Sequence, residues 1–357
     1  MNMENKEFRG FDFNKVIKMM LIILPIGVIG NILFSWFSTD ENIFETFKDF
    51  PLAYLAICLI LCIVPWFTHS IRMMIWIRFL NYDVPFREVL KIAIATELGA
   101  GVSPTAMGGG PLKAGMLVQQ KLKPGTAISL TVMGSLEDYT FFFLGVPFAL
   151  FFSSSWKNTV LTEVMSKIDV QNVLFTVSGV LLFLIFIYLI LRKNVWQLRT
   201  RFLNLKIVRK IRNALSQTIN DFLQVYRLIG RRGKWLFVLT VLINAVHWLA
   251  KYSVVIVLLI GLGIQVNWLQ LCLLQWVVFV CMLFIPTPGA TIGAEASFFF
   301  IFQSVVPDSV IGIITPAWRF LTYYFQLSLG AIVFSCLNYS PVRKIQNFFL
   351  DKSLVEI

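Results

Sequence analysis

The chain has 357 residues, of which 57% are apolar and only 14% charged, and its mean hydropathy is +0.76. Soluble domains carry roughly 25% charged residues, so these values exclude an ordinary soluble fold and indicate a polytopic membrane protein. Net charge is +12, but residues 192–234 hold twelve Lys/Arg against one acid, Asp221, which leaves +1 for the rest of the chain. A basic block flanked by apolar runs reads as a cytoplasmic loop obeying the positive-inside rule, not as a nucleic-acid patch.

An apolar helix needs about 20 residues to cross a hydrocarbon core of about 30 Å. Six segments qualify: 16–37, 51–79, 125–152, 171–191, 235–260 and 310–337. The first is too long for a signal-peptide core and lacks a small-residue cleavage site, so it is expected to be an uncleaved span. Two further apolar regions are broken in the middle. Region 88–121 is interrupted between Gly99 and Pro111, and region 268–306 by Pro286-Thr-Pro-Gly289 and Gly293.

Charge sets the orientation. Loop 38–50 carries Asp40, Glu41, Glu45 and Asp49 against Lys48 and should lie outside. Arg72, Arg78, Arg87, Lys91, Lys121 and Lys123 then fall at the inner face, so 88–121 must enter and return as a re-entrant hairpin. The same reasoning makes 268–306 a hairpin dipping from outside and puts both termini in the cytoplasm. The fold class expected is therefore all-α and polytopic, with six full spans and two opposed re-entrant broken-helix hairpins. Paired Gly/Pro-interrupted segments in corresponding positions of two halves point to an inverted-repeat transporter with its site at the midplane.

Within the basic loop, Val208, Ile211, Leu215, Ile219, Phe222, Tyr226 and Ile229 recur at steps of three and four. That spacing predicts an amphipathic helix on the inner leaflet or against the bundle. Cys58, Cys62, Cys272, Cys281 and Cys336 all lie in apolar runs, are odd in number and form no CxxC, so they read as packing residues.

Ionisable groups inside a bilayer cost roughly 2.5–3.5 kcal/mol each. Glu97, Lys113, Glu137, Asp138, Lys251, Glu295 and Arg319, with His247, must therefore face one another, backbone dipoles or a wet cavity. Lys113 follows Gly108, Gly109, Gly110 and Pro111. Proline favours the first helical position, so a half-helix is expected to start near Pro111, with an N-terminus suited to an anion. The alternative is that these glycines serve tight helix crossing while Lys113 snorkels. Glu295 sits similarly after Gly289 and Gly293, as a helix cap or a functional carboxylate. Glu137 and Arg319 lie at similar depths in the two halves, and ion pairing among Glu137, Glu295 and Arg319 is the structural alternative to a functional role. His247 and Lys251 share one helical face near Asn244 as a polar seam. With two histidines in the chain no zinc site is indicated, nor does any nucleophile–base triad appear.

At Ser103-Pro-Thr-Ala-Met-Gly-Gly-Gly-Pro-Leu-Lys113, Gly134-Ser-Leu-Glu137, Pro286-Thr-Pro-Gly-Ala-Thr-Ile-Gly-Ala-Glu295 and Arg319, the sequence resembles the flippase-like family that includes the transmembrane region of lysylphosphatidylglycerol synthase. The family usually has Arg at the positions of Lys113 and Asp138, and paired glycines where this chain has Gly289-Ala290. About twenty residues follow the last span, too few for the synthase's aminoacyl-transfer domain. The resemblance thus implies translocation of a lipid or lipid-linked anion across the cytoplasmic membrane, not aminoacyl transfer. Substrate contacts are expected from Gly108, Gly109, Gly110, Lys113, Glu137, Gly289, Glu295 and Arg319, with Glu97, Asp138, His247 and Lys251 accessory. Neither enzyme activity, cofactor nor metal is expected. The partners are membrane lipids with anionic headgroups, and a homo-oligomer is left open. A proton-coupled carrier of a small soluble anion, or an enzyme on lipid-linked sugars, are the alternatives.

Overall fold

A computed structural model describes residues 50–152 and 206–338, with positions 25 and 29 besides. The predicted spans 16–37 (those two positions apart) and 171–191, and the loop stretch 192–205, lie outside the described residues. Every named element among the described residues is helical. In chain order these are α1 (Leu52–Phe79), α2 (Phe86–Val102), α3 (Gly109–Gln119), α4 (Pro124–Phe152), α5 (Lys206–Arg232), α6 (Lys234–Gly261), α7 (Trp268–Leu283), α8 (Gly293–Phe302) and α9 (Asp308–Arg319). A π-helical turn, Phe320–Phe325, then leads into α10 (Gln326–Asn338).

Four helical stretches are long and apolar enough to cross a membrane: α1, α4, α6 and the continuous run from Asp308 to Leu337. They match four of the six segments predicted. The helices of the two broken regions are shorter. The longest, α2, has 17 residues and rises only about 25 Å at 1.5 Å per residue, less than the roughly 30 Å of a hydrocarbon core. Instead α2 folds back on α3, and α7 on α8.

Both hairpins turn by the same local chemistry. A residue before proline is driven out of the helical region; accordingly Ser103, ahead of Pro104, is extended (φ −101°, ψ 147°) and ends α2. Thr105 and Ala106 then take φ of 52° and 58°, and Gly289 and Ala290, after Pro288, take 61° and 53°. Ala106 N–H donates to Ser103 O (3.3 Å) and Met107 N–H to Pro104 O (3.2 Å). In the other hairpin Ala290 N–H donates to Thr287 O (2.9 Å) and Thr291 N–H to Pro288 O (3.3 Å). A Ser/Thr-Pro-x-Ala turn thus occurs twice, and the two tips meet, with Pro104 paired antiparallel to Pro288.

α3 starts close to where the sequence places it. Its first residue is Gly109, two positions before Pro111, because a proline anywhere in the first turn forfeits no intrahelical bond. Gly108 N–H is taken by Ser103 Oγ at 2.7 Å. A Cβ on Gly108 would lie 2.6 Å from Gly99 O, and one on Gly109 2.7 Å from Thr96 O. These two glycines let α2 and α3 cross closely, whereas a Cβ on Gly110 would meet only Thr131 Cγ2 at 3.6 Å.

Around the hairpins, α6 lies along α1, and α4 contacts α3, α6 and α7. Inside lipid such packing rests on van der Waals contact and polar bonds more than on the hydrophobic effect. Stacked Phe298, Phe302 and Trp318, with ring centroids 4.1 and 4.4 Å from Phe298, fasten α8 to α9. Cys58, Cys62 and Cys272 are buried, and all five thiols are free.

Helix α5 packs on α4. Val225 and Ile229 are buried while Ile219 is 49% exposed, so the buried face is rotated from the predicted stripe toward Val225. The approach is closest at Gly125, where a Cβ would collide with the Thr218 carbonyl and lie 2.6 Å from Asp221 Cβ. Gly125→Ala is expected to push α5 off α4, costing about 1–3 kcal/mol as overpacking. Faster tryptic cleavage at Arg227 and Arg231 than in wild type would register the displacement; an unchanged pattern would contradict it.

Candidate functional site

The buried charges gather in two ion-paired clusters with a polar chain between them. The first lies where α1 crosses α4. Arg72 Nη1 donates to Glu137 Oε2 at 2.7 Å, and Trp76 Nε1 donates to Glu137 Oε1, also at 2.7 Å. Asp138 Oδ1 lies 3.9 Å from the same Nη1 and accepts from Trp248 Nε1 at 2.9 Å. Arg72 is buried here.

The second cluster joins α8, α9 and the π turn. Arg319 Nε donates to Glu295 Oε1 at 3.0 Å. A terminal nitrogen of the same guanidinium donates to Gly289 O at the tip of the second hairpin. The guanidinium carbon stands 4.1 Å from the centroid of the Tyr323 ring, within cation–π range. Tyr323 O–H in turn donates to Gly101 O near the end of α2 at 2.8 Å. Arg319 and Tyr323 therefore bind one hairpin tip each. Gly289 has to be glycine because a Cβ would strike the Tyr323 ring. Glu137, Glu295 and Arg319 do not form one cluster; Glu295 pairs with Arg319, and Glu137 with Arg72.

Between the clusters runs a chain of weaker contacts. Lys113 Nζ lies 3.1 Å from His69 Nε2. His69 Nδ1 is 3.9 Å from Glu97 Oε1, and Glu97 Oε2 is 3.6 Å from Lys251 Nζ. Lys251 also stands over the Trp248 ring at 5.3 Å. His247 Nδ1 is 3.2 Å from Thr68 Oγ1 on α1. Lys113 is buried against Gly134 of α4 and does not snorkel to the surface.

A cavity of about 300 Å³ opens where these elements converge. Glu97, Lys251, Gly289 and Arg319 reach its wall; Trp66, Trp248, Phe279 and Trp318 are among the apolar residues that line the remainder. Lys113 and Glu137 border a separate, far smaller cleft with His69 and Arg72. The predicted residues thus divide. Gly289, Arg319, Glu97 and Lys251 come together at the cavity, Lys113 and Glu137 lie behind it, and Gly108 and Gly109 pack helices.

A family profile described as the lysylphosphatidylglycerol synthase TM region matches residues 22–330, a stretch that contains both hairpins and every charged residue named above. The chain belongs to this family. It is also similar to a UPF0104 membrane protein of Archaeoglobus fulgidus, 23% identical over 334 residues, covering 91% of this chain and 97% of the relative. Family membership and the apolar helices together make it a membrane protein.

For a member of this family, the residues that escaped sequence reasoning are His69, Arg72, Trp76 and Tyr323. His69, Arg72 and Trp76 lie at spacings of three and four on α1 and so share one face. Arg72 is seven residues from the end of α1, about 10 Å along the helix axis, inside a helix long and apolar enough to cross a membrane. Tyr323 carries no such signal, because a tyrosine in an apolar span is ordinary.

Proposed function

We propose that this protein moves an anionic phospholipid, or another lipid-linked anion, between the leaflets of the cytoplasmic membrane. In this reading the two hairpins are re-entrant from opposite faces, the halves form an inverted repeat, and both termini are cytoplasmic. The observation that carries the proposal is the cavity between the hairpin tips, which is apolar on most of its wall yet holds Lys251 and Arg319 beside Glu97. A lipid needs both surfaces together: cations for the phosphate and an apolar lining for the first part of its tails.

Of the two bases, Arg319 is almost fully enclosed and already bonded to Glu295 and Gly289. The Lys251 side chain is 27% exposed and only loosely paired with Glu97, so Lys251 makes the headgroup contact while Arg319 holds the hairpin tips. An apolar groove of about 200 Å³ between α4, α6 and α7, sharing Tyr252 with the cavity, accommodates part of a tail.

The test is reconstitution into vesicles containing NBD-phosphatidylglycerol, with dithionite reporting the label accessible from outside. Wild type is expected to expose the inner-leaflet label, and Lys251→Gln to slow this about tenfold or more, in keeping with loss of a charge-assisted contact worth about 1.5–3 kcal/mol. Bleaching that stops at the outer leaflet, as in protein-free vesicles, would refute lipid translocation and turn attention to soluble anions.

A further inference from the structure

Lys113, His69, Glu97 and Lys251 connect the small cleft to the cavity, and the preceding reading leaves the first three without a role. An ammonium can only donate, so at 3.1 Å His69 Nε2 must accept from Lys113 and the ring proton resides on Nδ1. That nitrogen faces Glu97 Oε1 across 3.9 Å, a gap that one water or a small χ rotation of Glu97 closes. The result is a donor–acceptor sequence with one open gap, from α3, through α1, to a carboxylate of α2 on the cavity wall. Glu137 and Glu295 are ill suited to carry a proton, because each is almost fully buried and bonded to an arginine. Glu97 is different. Its side chain is 32% exposed, and both its ionic contacts exceed 3.5 Å.

We propose that Lys113, His69 and Glu97 form a proton relay that couples lipid movement to the proton gradient; this inference rests on the translocation reading above. The step balances. The Lys113 ammonium gives a proton to His69 Nε2, His69 Nδ1 gives its proton to the Glu97 carboxylate, and all three groups finish neutral. Neutral Glu97 no longer holds Lys251, whose ammonium is then available to a phosphate in the cavity. When Glu97 gives its proton to water in the cavity and Lys113 regains one through the small cleft that it borders, Glu97 reclaims Lys251 and the headgroup is released. One proton therefore accompanies each anionic headgroup. The charged and titratable groups facing the relay are Arg72 on α1, Glu137 and Asp138 on α4, and His247 and Lys251 on α6. Arg72 is held by Glu137, and His247 is occupied by Thr68, which leaves Glu97 and Lys251 as the exchangeable pair.

The experiment again uses reconstituted full-length protein and NBD-phosphatidylglycerol, now with a pH difference across the vesicle and the steady-state leaflet ratio as readout. One pH unit is worth up to about tenfold in that ratio for one coupled proton. Wild type should displace the ratio toward the alkaline side beyond protein-free vesicles. His69→Gln can still accept from Lys113 and donate toward Glu97, but it cannot pass a proton on. Once its own gradient-free equilibration is complete, its ratio should remain undisplaced. Glu97→Asp, which keeps a carboxylate, should retain part of the displacement. Wild type that equilibrates the label yet ignores the gradient would overturn the relay and leave translocation standing; so would His69→Gln displaced as far as wild type. Absence of equilibration in wild type removes translocation, and the relay with it. Lumenal pyranine gives a second measure that does not depend on any variant folding: wild-type lumen pH should move as lipid is translocated, and a constant pH during translocation would overturn the relay.

Discussion

Arg319→Ala is expected to be the most damaging single substitution at the hairpin tips, lowering stability by about 3–5 kcal/mol, the range for removing one partner of a buried ion pair. Glu295 would be left without its counterion with only 4% of its surface exposed. Its Oε2 already lacks a hydrogen-bond partner, so losing the Arg319 bond leaves nothing on either oxygen but the N-terminal dipole of α8. That dipole is worth about 0.3–1 kcal/mol, too little to compensate. The Gly289 carbonyl and the Tyr323 ring would lose their cation in the same step. Thermal unfolding in mild detergent should show a large fall for Arg319→Ala and a recovery of most of it in Arg319→Leu with Glu295→Leu, where no charge is left behind. A double variant no better than the single would show that the Gly289 contact, not the ion pair, carries the effect.

A loss of the same order is expected for Arg72→Leu. Glu137 is 1% exposed, and of its two short bonds only the one from Trp76 would remain. Trp76→Phe removes that other bond and should cost about 1–3 kcal/mol, clearly less than Arg72→Leu. Adding Glu137→Leu to Arg72→Leu should restore stability, and the same unfolding assay ranks all three. If Trp76→Phe proved as severe as Arg72→Leu, packing of the indole would outweigh the charge.

How much of this could be read beforehand follows from what sequence patterns encode. The spans α1, α4 and α6 were legible because a long apolar run has one inexpensive place to go. The hairpins were legible as interruptions because proline and glycine act locally: Pro104 and Pro288 end or bend the chain whatever surrounds them. The pairing of charges was not legible. Whether Glu137 meets Arg319 or Arg72 depends on which face of α4 crosses α1, and α4 is apolar on every side, so no stripe fixes its rotation. The glycines at 108 and 109 do allow the close crossing that one of their two readings required, and the sequence does not choose between the two because anion binding and tight crossing ask for the same residue type. Tyr323 reaches Gly101 and Arg319 through a π turn, which shifts every later side chain around the helix axis, and nothing in Phe320-Leu-Thr-Tyr-Tyr-Phe325 announces it.

The meeting of the two tips through prolines has a mechanical consequence. Past this pair Thr105 and Ala106, like Gly289 and Ala290, turn away with positive φ, so this strand-like contact cannot lengthen into a ladder and cannot be zipped tighter by sliding. It behaves as a button rather than a seam. Separating the tips breaks only that one short main-chain contact, and the rest of the work of holding them falls on one guanidinium and one phenol.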